Sequence, residues 1–132
     1  MNARPQAWAR QALNDLELAR LASNNGFQAQ ACFFASQAAE KAFKGALLKL
    51  GQEPPHTLVL NDLVQALAAE GADVGVIEAL PLKALTRMTI TSRYPIDATP
   101  PSELFDRADA VQAIATAEAA ISFVNQLDRP AS

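Results

Sequence analysis

An all-α, up-and-down bundle of about five helices is the fold class that three observations predict for this 132-residue chain. Alanine is abundant in the long segments, where glycine (5 in the whole chain) and β-branched residues are sparse, a composition that favours helices. Apolar positions recur at helical spacing between breaks rich in Gly, Pro and Asn. No segment alternates at period two for long enough to be a strand, and there are no internal repeats or low-complexity tracts. The length and the 50% hydrophobic content suit one domain, residues 1–132, around a single core.

The first helix is expected from about Arg4 to Ser23. Pro5 suits a first-turn position, and Trp8, Ala12, Leu16 and Ala19 form an apolar stripe. Ser23-Asn24-Asn25-Gly26 reads as a turn with glycine in the left-handed position. The second helix, about Phe27 to Leu50, carries Phe34, Ala38, Ala42 and Ala46 on one side, with Gly51 as its stop. These two should form an antiparallel hairpin. Gln52-Glu53-Pro54-Pro55 is a rigid connector, and His56-Thr57 opens a third helix to about Ala69. Its cap is Thr57, or Asn61 if Thr57 to Leu60 is irregular. A fourth helix spans about Val74 to Thr89, kinked or interrupted near Pro81. Thr91 to Pro101, with three prolines, is a loop. Ser102, with Glu103 and Asp106 behind it, marks the start of the last helix, which ends near Leu127. Leu104, Ala108, Val111, Ile114 and Ala115 are its expected inner face, and Arg129 to Ser132 a frayed tail.

The charge balance narrows the function classes. A net charge of −3 and a pI near 5.0 argue against a broad cationic surface for duplex nucleic acid, which relies on neutralising many phosphates. The single cysteine, Cys32, permits no intrachain disulfide, and between Ala31 and Phe33 it reads as a packed apolar residue. MNARPQAW has no long apolar h-region, and no apolar run approaches the roughly 18 residues needed to span a bilayer. A soluble, reducing, cytoplasmic setting is expected, with no membrane partner.

Two strings carry candidate chemistry. In Phe33 to His56, Gln37, Glu40, Lys41 and Lys44 fall at i, i+3, i+4 and i+7, which puts an amide, a carboxylate and two ammonium groups on one helix face. Lys41 and Lys44 could meet a phosphate with Glu40 orienting them. The plain alternative is a solvated face whose Glu40–Lys44 pair contributes only about 0.3–0.5 kcal/mol. The same helix carries a small-residue ridge (Ala31, Ala35, Ala38, Ala42, Gly45), smooth enough for another helix to approach closely. In Ser92 to Asp97, Arg93 is expected to pair with Asp97 across a turn stiffened by Pro95, and Tyr94 to offer a stacking face. Lys83 and Arg87 could add charge to that edge. The plain alternative here is a stiff structural loop. His56 is the only histidine and lacks zinc spacing, so it reads first as ordering the third helix. There is no phosphate-binding glycine loop, no Ser-His-Asp order and no metal cluster, so no metal or resident cofactor is expected.

The order Gln-Ala-Ala-Glu-Lys-Ala-Phe-Lys, a glycine stop, Pro-Pro-His, a Leu-rich helix and then Ser-Arg-Tyr-Pro-x-Asp resembles the HEPN family from about Trp8 to Leu127. These are small all-helical prokaryotic domains named for nucleotide binding. The resemblance implies a homodimer, for which the ridge and its charged border would be the interface. It further implies a two-component, toxin–antitoxin-like pair with a minimal nucleotidyltransferase. Ribonuclease members carry Arg, four to six residues with a polar one first, then His, so that a cation stabilises phosphate while His moves protons. Here the positions at that distance before His56 are Lys49, Leu50 and Gly51, and no His follows Arg87 or Arg93. The expected function is therefore a non-catalytic subunit that binds a nucleotide or a partner through Gln37, Glu40, Lys41, Lys44, Arg93, Tyr94 and Asp97. The alternatives are an RNA-cleaving toxin with a non-standard site built from His56, Arg93 and Lys44, and a purely structural dimerising domain.

Overall fold

The computed structural model describes residues 3–127, which form seven helices and, among the described residues, no strand. They are α1 (Arg4–Asn24), α2 (Gln28–Lys49), α3 (Leu60–Ala69), α4 (Gly75–Glu78), α5 (Leu82–Thr91), α6 (Pro101–Leu104) and α7 (Arg107–Leu127). The expected tail from Arg129 to Ser132 lies outside the described residues, as do Met1 and Asn2.

The first two helices form the expected hairpin. Gly26 takes φ 85 at the turn. Gly51 takes φ 84 behind α2, with Gly51 N–H donating to Leu48 O at 3.0 Å and Gln52 N–H to Leu47 O at 2.9 Å. That pair of bonds is a Schellman stop, which requires a residue that tolerates the left-handed region. Helix α2 is the central element, packed against α1, α7, α5 and α3. Phe43 and Leu47 on α2, Leu63 and Leu67 on α3, Ile77, and Leu82 and Leu85 on α5 are the large side chains of the core.

The small-residue ridge has a different role from the one expected. Ala31, Ala35, Ala38, Ala42 and Gly45 are all buried within the chain, so they are not a surface for a second copy. At Gly45 a Cβ would stand 3.0 Å from Trp8 Cβ and 3.5 Å from Pro5 O. The ridge therefore lets α1 cross α2 closely.

Helix starts account for the two extra helices. Pro81 interrupts the fourth segment as expected, leaving one turn (α4) before α5. The Ser102 signature opens only a single turn, because Phe105 is extended (φ −110, ψ 130) and packs against the core. The long last helix begins behind Asp106. Asp109 N–H donates to Asp106 Oδ1 at 2.9 Å and Asp106 N–H to Asp109 Oδ2 at 3.0 Å, a reciprocal cap made by two aspartates. These hydrogen bonds hold the Asp106 carboxyl below its ordinary range. With that start, the inner face of α7 is Ala110, Ala113, Thr116, Ala117, Ala120, Ile121 and Val124. Leu104, Ala108, Val111 and Ala115 are exposed and Ile114 is only half-buried, contrary to expectation. At α3 neither proposed cap holds. The helix opens at Leu60, whose N–H donates to Thr86 Oγ1 of α5 at 3.1 Å, while Thr57 Oγ1 takes Val59 N–H at 3.0 Å.

Candidate binding face

Because α2 is wrapped by other helices, only one strip of its interior stays uncovered: Gln30, Phe33, Phe34, Gln37, Lys41 and Lys44. The strip runs between α1 and α5, which reach it through Asp15 and through Arg93 beyond the end of α5. It contains most of the predicted α2 residues but distributes their charge in an unexpected way.

Lys41 leans onto α1, where its ammonium donates to Asp15 Oδ2. Asp15 is 4% exposed, lies between Ala12, Leu16 and Ala19 on the buried stripe of α1, and also accepts from Gln11 Nε2 at 3.0 Å. A carboxylate in such a stripe needs a cation or several donors. Lys41 is therefore committed to the fold. Lys44 pairs with Glu40 at 3.4 Å, as the i,i+4 spacing implied, but both side chains are largely buried rather than solvated. The two lysines are thus neutralised within the chain, and Gln37 sits half-buried among them.

The second string meets α2 at Phe33, one turn before Gln37. The Arg93 guanidinium lies 4.7 Å from the Phe33 ring centre and 5.1 Å from that of Tyr94. Its Nε–H donates to Thr89 O at 2.9 Å, continuing the end of α5. Ser36 and Thr89, hydrogen-bonded at 3.3 Å, tie α2 and α5 together beneath. Asp97 does not pair with Arg93. Its Oδ1 accepts the Thr99 N–H at 2.8 Å, an Asx turn that closes its own loop. Tyr94 is 56% exposed. Lys44 is about 16 Å further along the α2 axis than Phe33, at 1.5 Å per residue. The predicted residues therefore form two groups, Arg93–Tyr94 with Phe33 and the paired lysines, rather than one phosphate pocket.

His56 is exposed in the connector, away from both groups in the chain. Nearby, Arg4 grips Glu53 with both terminal nitrogens at 3.2 Å, which holds the Glu53 carboxyl below its usual range, with a smaller contribution from His56. Lys83 and Arg87 are exposed on α5. Cys32 is fully buried, and burial, reinforced by the Asp109 and Asp106 carboxylates, pushes its thiol up to about 12. Among the described residues no three His, Cys, Asp or Glu side chains converge on a metal position. Nor is any helix there long and apolar enough to cross a membrane.

An apolar recess of about 440 Å3 adjoins the strip, lined by Leu18, Leu21, Ala22, Asn25, Phe27, Gln30 and Phe34. Leu21 and Phe27, at its rim, are 60% and 58% exposed. Phe34 meets Phe33 edge to face at 5.2 Å, so the recess continues through two rings to Arg93. Sequence reasoning missed Asp15, Phe33, Leu18 and Leu21. Asp15 had a legible signal, an acid on an apolar stripe. Leu18 and Leu21 lie off the stripe and become a site only when α2 supplies Phe34.

Known proteins match this fold and chain length. The family model for the HEPN domain matches residues 5–127. A structure from Thermus thermophilus is 32% identical with a TM-score of 0.83, over 95% of this chain and 98% of that one. An archaeal HEPN homologue is 28% identical with a TM-score of 0.70, over 98% and 100%. A HEPN domain protein from Thermotoga maritima is 26% identical with a TM-score of 0.63, over 92% and 96%. Comparison with curated proteins gives no significant match. A family model spanning almost every described residue, on a bundle shared with HEPN homologues, leads to one conclusion: the chain belongs to the HEPN domain family.

Proposed function

We propose that this HEPN domain is a single-domain, non-catalytic binding subunit that forms a homodimer and partners a minimal nucleotidyltransferase as a cytoplasmic two-component pair. The observation that carries the binding role is the strip on α2 with its adjoining recess. It is a surface of exposed leucine and phenylalanine whose two lysines, Lys41 and Lys44, are already internally paired. Such a surface suits a protein better than a polyanion, because apolar contacts supply affinity while neutral ion pairs repel neither sign.

The non-catalytic part rests on His56. It is exposed beside the Arg4–Glu53 pair, and the sequence lacks the Arg-to-His spacing of the ribonuclease members. Incubating purified protein with RNA, alongside His56→Ala, tests it. No cleavage by either protein is expected, whereas cleavage lost in the variant would overturn the reading.

A nucleotide-binding reading is favoured by one observation, the exposed Tyr94 ring beside Arg93, on which a base could stack. Calorimetry with ATP and GTP decides it: binding abolished by Arg93→Ala would support it, and no heat at millimolar nucleotide would exclude it.

A further inference from the structure

We infer that Arg93 is a pre-oriented receptor for a carboxylate on a protein partner, and that the partner segment carries this acid beside bulky apolar side chains that fill the recess at Phe34. The inference rests on the binding-face reading above and adds the chemistry of what binds.

Arg93 is exposed, but its guanidinium is restrained on one side: Nε–H donates to Thr89 O, and Cζ lies 4.7 Å from the Phe33 ring centre and 5.1 Å from that of Tyr94. Among the described residues neither terminal nitrogen has a hydrogen-bond partner in the chain, and the nearest acid in sequence, Asp97, is turned to Thr99. What remains available is the Nη1/Nη2 edge, which matches the two oxygens of a carboxylate. Pre-orientation matters because the ordering cost is met before the partner arrives.

Charge selects a carboxylate over a phosphate chain. Among the described residues the lysines of the strip are matched by Asp15 and Glu40, which leaves Arg93 as the unpaired cation on the strip itself, with Lys83 and Arg87 exposed further back along α5. A single planar anion balances Arg93. A di- or triphosphate brings several negative charges to a chain of net charge −3 and finds no second cation on the strip. Apolar continuity supplies the rest of the motif: Arg93 touches Phe33, Phe33 touches Phe34, and Phe34 lines the recess with Leu18, Leu21 and Phe27.

The test follows the Arg93 Nε–H and the Phe34 ring signals by NMR in the full chain. The probes are the blocked tripeptide acetyl-Leu-Glu-Phe-amide, its Gln counterpart, inorganic phosphate and ATP. The Glu peptide is expected to move both residues and to bind roughly tenfold more tightly than the Gln peptide, the scale of a charge-assisted hydrogen bond. Arg93→Gln, which loses both the charge and the fork, should abolish that preference while the Phe34 signals still respond. Equal affinity for the two peptides, with Phe34 moving and Arg93 still, would overturn the carboxylate receptor and leave the binding face standing. A larger Arg93 response to phosphate or ATP than to the Glu peptide would overturn it in favour of the nucleotide. Silence at both residues with both peptides would overturn the proposed peptide motif. Dimerisation and binding of the nucleotidyltransferase, measured separately, would still be open to test.

Discussion

Asp15 and Lys41 show how a residue that looks functional can be structural. A nearly buried carboxylate left with Gln11 alone is costly, so Lys41→Ala should destabilise the fold by about 2 kcal/mol in urea unfolding, below the roughly 3–5 kcal/mol of a fully buried pair because Lys41 keeps a quarter of its side chain in solvent. The double variant Asp15→Leu with Lys41→Met should recover most of that loss, since apolar replacement of both partners removes the desolvation penalty. A fully stable Lys41→Ala protein would show that the lysine is free for a ligand after all. Cys32 tests burial in another way. With its thiol pushed up to about 12, it stays protonated across the neutral and mildly alkaline range, and the thiolate is the nucleophile. Iodoacetamide at pH 8 should therefore leave the native protein unlabelled and react fully once it is denatured. Prompt labelling of the native state would contradict the buried position.

At the scale of elements, Gly45 marks the contact on which the α1–α2 hairpin depends. Alanine there gains about 1 kcal/mol of helix propensity but must move α1 by a few tenths of an ångström, because its Cβ would meet the anchored Trp8 Cβ at 3.0 Å. Overpacking of this kind costs about 1–3 kcal/mol, so Gly45→Ala should lower stability by about 1 kcal/mol, and a more stable variant would contradict the close crossing. The sequence made this hairpin legible because the glycine stops and the alanine periodicity are local signals. It also located the Pro81 break and the length of α3 to within a few residues. The start of α7 was not legible from Ser102: whether Phe105 continues a helix or turns inward depends on a core built by distant helices. The ridge was read correctly as a packing face, but a sequence cannot say whether the helix it receives belongs to the same chain. Of the candidate site, the residues on α2 and Arg93 with Tyr94 were legible by type and spacing. Their partners Asp15, Phe33 and Thr89 were not, because those pairings exist only across elements.

The molecule as a whole is an acidic HEPN bundle whose central helix, between its two ends, is covered except along one apolar-and-charged strip. That arrangement is what the proposed partner-binding role rests on. The most direct test is calorimetric titration of the chain with the partner proposed for it, a minimal nucleotidyltransferase, comparing the wild type with Leu21→Glu. Leu21 is 60% exposed, so the variant should fold normally, and the charge it places at the mouth of the recess should weaken binding at least tenfold. Absence of binding by the wild-type chain, or equal affinity of the two proteins, would contradict the account.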